Sequence, residues 1–139
     1  MEKIRFASRE HEAFYEQMLK RCGNRDCYHQ AFFYCLGIAA ETRENVESLF
    51  DLDEDCIRFE GMEQGWQTSG SRRLCRLAYN LWNGYIEEGA ERMSTPYGLF
   101  DCSYSPYFME AVRIRYPEYF RGDRTLAELR EKQIGRAHV

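Results

Sequence analysis

The most deeply buried helix of this protein is predicted from the stretch Cys27-Tyr28-His29-Gln30-Ala31-Phe32-Phe33-Tyr34-Cys35-Leu36. Apolar side chains occupy nearly every side of a helical wheel drawn for it, and a helix of that kind packs inside a domain. Asp26 is a typical N-cap before it, and Gly37 is a typical stop after it. We therefore predict that residues 27–36 form the central element of the core.

Apolar residues recur at helical spacing elsewhere in the chain, whereas no segment alternates convincingly with period two. The other predicted helices run from Ser8 to about Cys22, from Thr42 through Phe50, from Leu74 to Ile86 and from Pro106 to Arg115, with a short turn after Thr95-Pro96. Residues 51–70 lack this periodicity. The sequence thus predicts an all-α fold, a single compact domain of five or six helices with a long acidic, glycine-containing loop before the amphipathic helix 74–86.

Residues 1–132 are predicted to form this domain. Residues 133–139 are predicted to be a non-native tail, because the last six, Ile134-Gly135-Arg136-Ala137-His138-Val139, resemble the translation of a common sequencing adapter. No segment is apolar enough to span a bilayer, and the N-terminus lacks the pattern of a secretory signal. We expect a cytoplasmic protein that does not bind membranes and whose six cysteines are reduced thiols.

A helix start, several hydroxyls and three arginines coincide between Trp66 and Arg76. The first N–H groups of a helix are unpaired and carry partial positive charge, so they attract phosphate. The candidate binding residues are Trp66, Gln67, Thr68, Ser69, Ser71, Arg72, Arg73 and Arg76. The alternative is internal pairing of these arginines, since residues 41–64 contain nine acids. A net charge of −4 also argues against a general nucleic-acid binder.

Cysteines and a histidine around the first predicted turn suggest zinc. The candidate ligands are Cys22, Cys27, His29 and Cys35. A structural zinc site normally brings a second close pair of ligands, but the remaining three cysteines are scattered singly. Residues 51–55 resemble the start of a calcium loop, yet they are not followed by its glycine and glutamate. We therefore predict no metal site and no cofactor.

His29 is also a candidate general base, because His11 and His29 are the two histidines outside the tail. His29 follows Tyr28 on the most apolar helix, where a histidine is more often a hydrogen-bonded core residue than a catalyst. We interpret Tyr28 and His29 as polar residues of the core. The alternative is an enzyme in which His29 acts as base on a small molecule held near Ser69 and Ser71.

Four blocks of the sequence carry a family resemblance. They are Tyr28-His29-x-Ala31-Phe32-Phe33-Tyr34-x-Leu36-Gly37, Gly65-Trp66-Gln67-Thr68-Ser69-x-Ser71-Arg72, Leu77-Ala78-Tyr79-Asn80-Leu81-Trp82-Asn83-Gly84 and Ser103-Tyr104-x-Pro106-Tyr107-Phe108. These blocks resemble an uncharacterised bacterial family, domain of unknown function 6075, over most of residues 6–120. The resemblance implies a small bacterial protein carried on mobile elements or phage, and it implies no activity, cofactor or catalytic residue.

The sequence contains no compact set of acid, base and nucleophile. We therefore expect a non-enzymatic accessory protein that binds an unknown protein partner. Its binding surface would be aromatic or acidic, for example residues 51–63. Binding of nucleic acid or phosphate at Trp66–Arg76, and small-molecule chemistry at His29, remain the alternatives.

Overall fold

Helices dominate the computed structural model, which describes residues 3–120; the predicted tail lies outside them. The helices are α1 (Arg9–Cys22), α2 (Cys27–Gly37), α3 (Ala40–Glu44), α4 (Val46–Leu49), α5 (Ser69–Asn83), α6 (Pro96–Leu99) and α7 (Ser105–Arg115). An antiparallel hairpin joins β1 (Phe50–Asp51) to β2 (Cys56–Ile57), and there are 3₁₀ turns at Phe59–Glu63, Glu91–Ser94 and Pro117–Tyr119. The all-α prediction is confirmed, with seven α-helices in the described residues in place of five or six.

The central element is α2, which packs against α1, α5 and α7. Every residue from Ala31 to Leu36 is completely buried. The ring centroid of Phe32 lies 5.1 Å from that of Phe33, 5.3 Å from that of Phe50 and 5.5 Å from that of Trp82. Burying a phenylalanine side chain contributes about 1.5–3 kcal/mol, so this aromatic contact is a major source of stability. The predicted role of α2 is confirmed.

Side-chain caps fix the turn between α1 and α2. Gly23 ends α1 with a φ of 65°, in the left-handed region that favours glycine. Asp26 begins α2 by accepting a hydrogen bond from the His29 N–H at 2.8 Å. Because this connection is so short, the last residue of α1, Cys22, lies close to His29 on the first turn of α2.

The bounds of α5 differ from those predicted. Thr68 accepts a bond from the Ser71 N–H at 3.1 Å, and its own N–H donates to the Ser71 hydroxyl at 2.8 Å. This capping box starts the helix at Ser69, before the apolar pattern begins at Leu74. Gly84, with a φ of 80°, ends the helix, so Ile86 lies outside it and is 51% exposed. The prediction that the helix extends to Ile86 was wrong.

The predicted third helix is divided into α3 and α4 at Asn45, whose φ of −115° and ψ of 25° are not helical. Thr42 lies within α3, where its hydroxyl donates to the backbone of Leu36 and Ala39. Phe50 is extended and pairs with Ile57. The sequence did not predict this hairpin, because strands of two residues are too short to show alternation.

Two further helices follow α5. Thr95 caps α6 through a bond from the Gly98 N–H at 3.3 Å. Helix α7 begins at Ser105, one residue earlier than predicted, and ends at Arg115 as predicted. No helix within residues 3–120 is long and apolar enough to cross a lipid bilayer.

Gly37 permits the close approach of α2 to α1. A Cβ atom at this position would lie 2.6 Å from Cδ2 of His11 and 3.1 Å from Cδ1 of Phe14. Both side chains are buried and cannot move away freely. Gly37→Ala should therefore lower the free energy of unfolding in urea by about 1–3 kcal/mol. Gly65→Ala is the control, because a Cβ there meets no described atom within 4 Å. Equal effects of the two substitutions would contradict this packing.

Candidate functional site

His29 lies between two carboxylates. Its Nδ1 is 2.8 Å from Oδ1 of Asp26, and its Nε2 is 2.8 Å from Oδ1 of Asp55. Only 4% of the His29 side chain is exposed, whereas about half of the Asp55 side chain faces solvent. Asp26 belongs to the cap of α2, and Asp55 belongs to the hairpin. His29 therefore joins the hairpin to the helical core, as the predicted polar core residue would.

The two carboxylates determine the charge of His29. Burial alone lowers the pKa of His29, but the hydrogen bonds and charges of Asp55 and Asp26 outweigh it, so the pKa is raised. The pKa of Asp26 is lowered: burial raises it, and the bonds from His29 reverse that effect. Both ring nitrogens are hydrogen-bonded to carboxylates. This leaves no unbonded ring nitrogen to act as base on a small molecule held near Ser69 and Ser71.

Cys22 completes the His29 cluster, which we define as Cys22, Asp26, His29 and Asp55. One ligand atom each from Cys22, His29 and Asp55 lies within 4.8 Å of the other two. Burial, followed by the charge of Asp55, raises the pKa of the Cys22 thiol. Of the four candidate zinc ligands considered and set aside in the sequence, the structure thus brings together two, Cys22 and His29.

The other two candidate zinc ligands, Cys27 and Cys35, lie outside the His29 cluster. Arg115 donates to the thiol of Cys27 at 3.7 Å, and Cys35 is completely buried in the core. Asp55 takes their place, although it was considered only for calcium. It is the one non-glycine residue with a positive φ, 55°, within residues 3–120. No sequence spacing predicts its contact with His29, which spans 26 residues and depends on the hairpin.

The hydroxyls predicted to bind phosphate are largely used by the cap of α5. Ser71 donates to Oε1 of Gln67, and Gln67 in turn donates to the backbone oxygen of Gly61 at 2.9 Å. Thr68 and Ser71 form the capping box. Trp66 packs against the core, and its buried indole N–H has no hydrogen-bond partner within the described part of the chain. These residues chiefly hold the connection between the hairpin and α5.

The three arginines of the predicted phosphate site have different surroundings. Arg76 pairs with Glu87 at 3.0 Å, Arg73 donates to the backbone oxygen of Asp101 at 2.6 Å, and Arg72 is exposed. A cavity of about 260 Å³ adjoins the start of α5, lined by Ser69, Gly70, Arg73, Cys102, Ser103 and Tyr104. Two acids of residues 41–64 form ion pairs with other arginines, Asp51 with Arg58 and Glu47 with Arg21.

Tyr28 is 42% exposed and contacts the C-terminal end of α7. The guanidinium carbon of Arg115 lies 3.9 Å from the centre of the Tyr28 ring and 4.6 Å from that of Tyr116. Arg115 also donates to the backbone oxygen of Leu81 at 2.8 Å. Tyr28 therefore takes part in a contact between α2, α5 and α7 through Arg115. It does not take part in the hydrogen bonds of its neighbour His29.

An exposed apolar surface lies beside the hairpin. We define the Phe59 patch as Phe59, Tyr85, whose ring it contacts, and the exposed residue that follows Tyr85 in the chain, Ile86. Phe59 is 49% exposed, and its ring centroid is 5.0 Å from that of Tyr85. Tyr85 in turn packs on buried Tyr79, whose hydroxyl donates to the backbone of Arg58 at 2.6 Å. The patch therefore rests on a fixed part of the core.

Exposed carboxylates lie close to the residues of the Phe59 patch in the sequence. The acidic rim, which we define as Glu60, Glu63 and Glu88, is exposed. Burial, and then the charges of Glu87 and Glu63, raise the pKa of Tyr85, which places negative charge at the edge of the patch. The sequence predicted an acidic or aromatic surface within residues 51–63, but it did not predict that Tyr85 and Ile86 would join it.

The four sequence blocks described above lie within a match to a known family. Residues 1–128 match the profile of a family of unknown function, DUF6075. The chain is a member of the DUF6075 family. No curated protein and no solved structure matches it. The resemblance predicted from the sequence is thus confirmed, and because the DUF6075 family has no described function, the function of this member must be argued from its own residues.

Proposed function

We propose that this DUF6075 protein is a non-enzymatic accessory protein that binds a basic protein partner through the Phe59 patch. The observation that carries the proposal is the combination of two half-exposed apolar side chains, Phe59 and Ile86, with an exposed acidic rim. Protein interfaces commonly have an apolar centre and a polar rim.

The charge of the rim defines the partner. Three exposed carboxylates close in sequence to Phe59 and Ile86 favour a surface on which lysines or arginines surround an apolar side chain. Tyr79 and Tyr85 hold Phe59 in place, so little conformational entropy is lost when Phe59 is covered. Such a partner would gain apolar contact at the centre and faster association from the rim.

Removing the apolar centre should abolish partner binding. The immobilised protein is compared with a Phe59→Ser, Ile86→Ser variant in extracts of the native host, and bound proteins are quantified by mass spectrometry. At least one bound protein should be depleted about 30-fold or more, because loss of a central interface residue costs about 2 kcal/mol or more. Glu63→Lys should weaken binding of the same protein, and so should added salt.

Met109→Ser is the matched control, since Met109 is 51% exposed on α7 and lies outside the patch. This variant should bind the partner as the unaltered protein does. The proposal is overturned if the patch variant captures the same proteins in the same amounts, or if Met109→Ser causes an equal loss.

The other functions considered have weaker support. Phosphate or nucleic-acid binding at Trp66–Arg76 stays a prediction. Part of that segment is already used, because Thr68 and Ser71 cap α5 and Arg76 pairs with Glu87. A base at His29 also stays a prediction, and both ring nitrogens of His29 are bonded to carboxylates. The bacterial and mobile-element origin remains an expectation from the family resemblance, and the cytoplasmic location remains an expectation from the N-terminal sequence.

A further inference from the structure

Three elements direct different ligand types to one point in the His29 cluster. Cys22 ends α1, His29 lies on the first turn of α2, and Asp55 precedes β2. A sulfur, a nitrogen and an oxygen atom, one from each, lie within 4.8 Å of one another. We propose that Cys22, His29 and Asp55 bind a divalent transition-metal ion, with Zn²⁺ as the best match.

Asp26 orients the imidazole for this role. It accepts a bond from Nδ1 of His29, which directs Nε2 toward Asp55. A carboxylate behind a metal-binding histidine is a common arrangement, because it fixes the tautomer and makes the other ring nitrogen more basic. The same oxygen of Asp26 also caps α2, so the ring is held by the helix start itself.

The ligand types select the class of metal. Thiolate and imidazole favour Zn²⁺ and related ions over Ca²⁺ and Mg²⁺, which prefer oxygen ligands. On binding, Cys22 loses its thiol proton and His29 loses the Nε2 proton directed at Asp55. One thiolate and one carboxylate then balance the two charges of the ion. Three protein ligands leave one position for water, as in open zinc sites.

Metal binding would attach the hairpin to the helices. Residues 53–56 are exposed, and Asp55 holds the hairpin to α2 through its bond with His29. Cys56 is exposed beside Asp55 and Asp53 is exposed two residues before it, and both lie outside the three-ligand set. These two neighbours therefore provide matched controls for the ligand cysteine and the ligand aspartate.

Cobalt gives the most selective test, because a cysteine thiolate bound to Co²⁺ produces a charge-transfer absorption band. We expect one Co²⁺ per chain, with this band, and displacement by Zn²⁺. Cys22→Ser should abolish the band. Asp55→Asn should weaken affinity by about 100-fold, and Asp26→Asn by about 10–100-fold. The controls Cys56→Ser, Asp53→Asn and His138→Gln should keep the band and the affinity of the unaltered protein.

Alkylation provides a second measurement that does not depend on variants. In the full chain, saturating Zn²⁺ should protect Cys22 from iodoacetamide and leave exposed Cys56 reactive, as seen by peptide mass spectrometry. The proposal is overturned if the band is absent, if it survives Cys22→Ser, or if Cys22 is not protected. These residues are separate from the Phe59 patch, so failure here leaves the proposed function unaffected.

Discussion

Phe32→Ala should lower the free energy of unfolding by about 3–5 kcal/mol, a large part of the total stability of a domain of this size. Phe32 is completely buried, and its ring packs against those of Phe33, Phe50 and Trp82. The substitution removes apolar contact and leaves a cavity bounded by α2, α5 and the hairpin. Urea unfolding followed by circular dichroism measures the change.

Phe59→Ala removes the same atoms from a half-exposed position and serves as the control. Because much of the Phe59 ring already faces water, its truncation should cost less than about 1 kcal/mol. If the two substitutions lowered stability equally, α2 would not be the centre of the core.

Acid should destabilise the protein through His11. Burial is the main cause that lowers the pKa of His11 from 6.5 to about 4; the bond to the Tyr34 oxygen opposes it, and the charge of Arg43 adds to it. The unfolded chain takes up a proton near pH 6.5, while the folded protein resists until about pH 4. Stability from neutral His11 is therefore present above pH 6.5 and is lost as the pH falls toward 4. The loss should reach about 3 kcal/mol.

The hydrogen bonds of His11 support its neutral form, because Nδ1 accepts from the Ala7 N–H at 3.0 Å and Nε2 lies 2.7 Å from the Tyr34 oxygen. Urea unfolding at several pH values should show a flatter profile between pH 6.5 and 4 for His11→Gln. His29 should have the opposite effect on the pH dependence of stability. Because its pKa is raised, it stabilises the folded protein below pH 6.5, and this contribution is lost as the pH rises. An unchanged acid profile in His11→Gln would refute the assignment.

The part of the fold that the sequence predicted is the part fixed by local chemistry. Ser8, Gly23 and Asp26 mark the ends of α1 and α2, and the apolar stretch 27–36 indicated burial without reference to any other segment. The start of α5 was harder to predict from the sequence, because polar residues form its first turn. The hairpin depends on pairing between short segments and had no detectable pattern.

The candidate sites show the same limit. His29 and Cys22 were recognised because they are close in sequence, whereas Asp55 reaches them through the hairpin. Phe59, in turn, meets Tyr85 only because Gly84 ends α5 and turns the chain. Contacts made by the tertiary fold decide these sites, and a single sequence carries no direct signal for them.

The partner surface is tested most directly by photocrosslinking from inside the patch. Phe59 is replaced by the photoreactive residue p-benzoylphenylalanine in the native host, and Met109 is replaced in the same way as the control. We predict a covalent adduct from position 59, to a peptide rich in lysine or arginine, and none from position 109. Absence of an adduct at position 59 in the folded protein, or the same adduct from both positions, would contradict the proposed function.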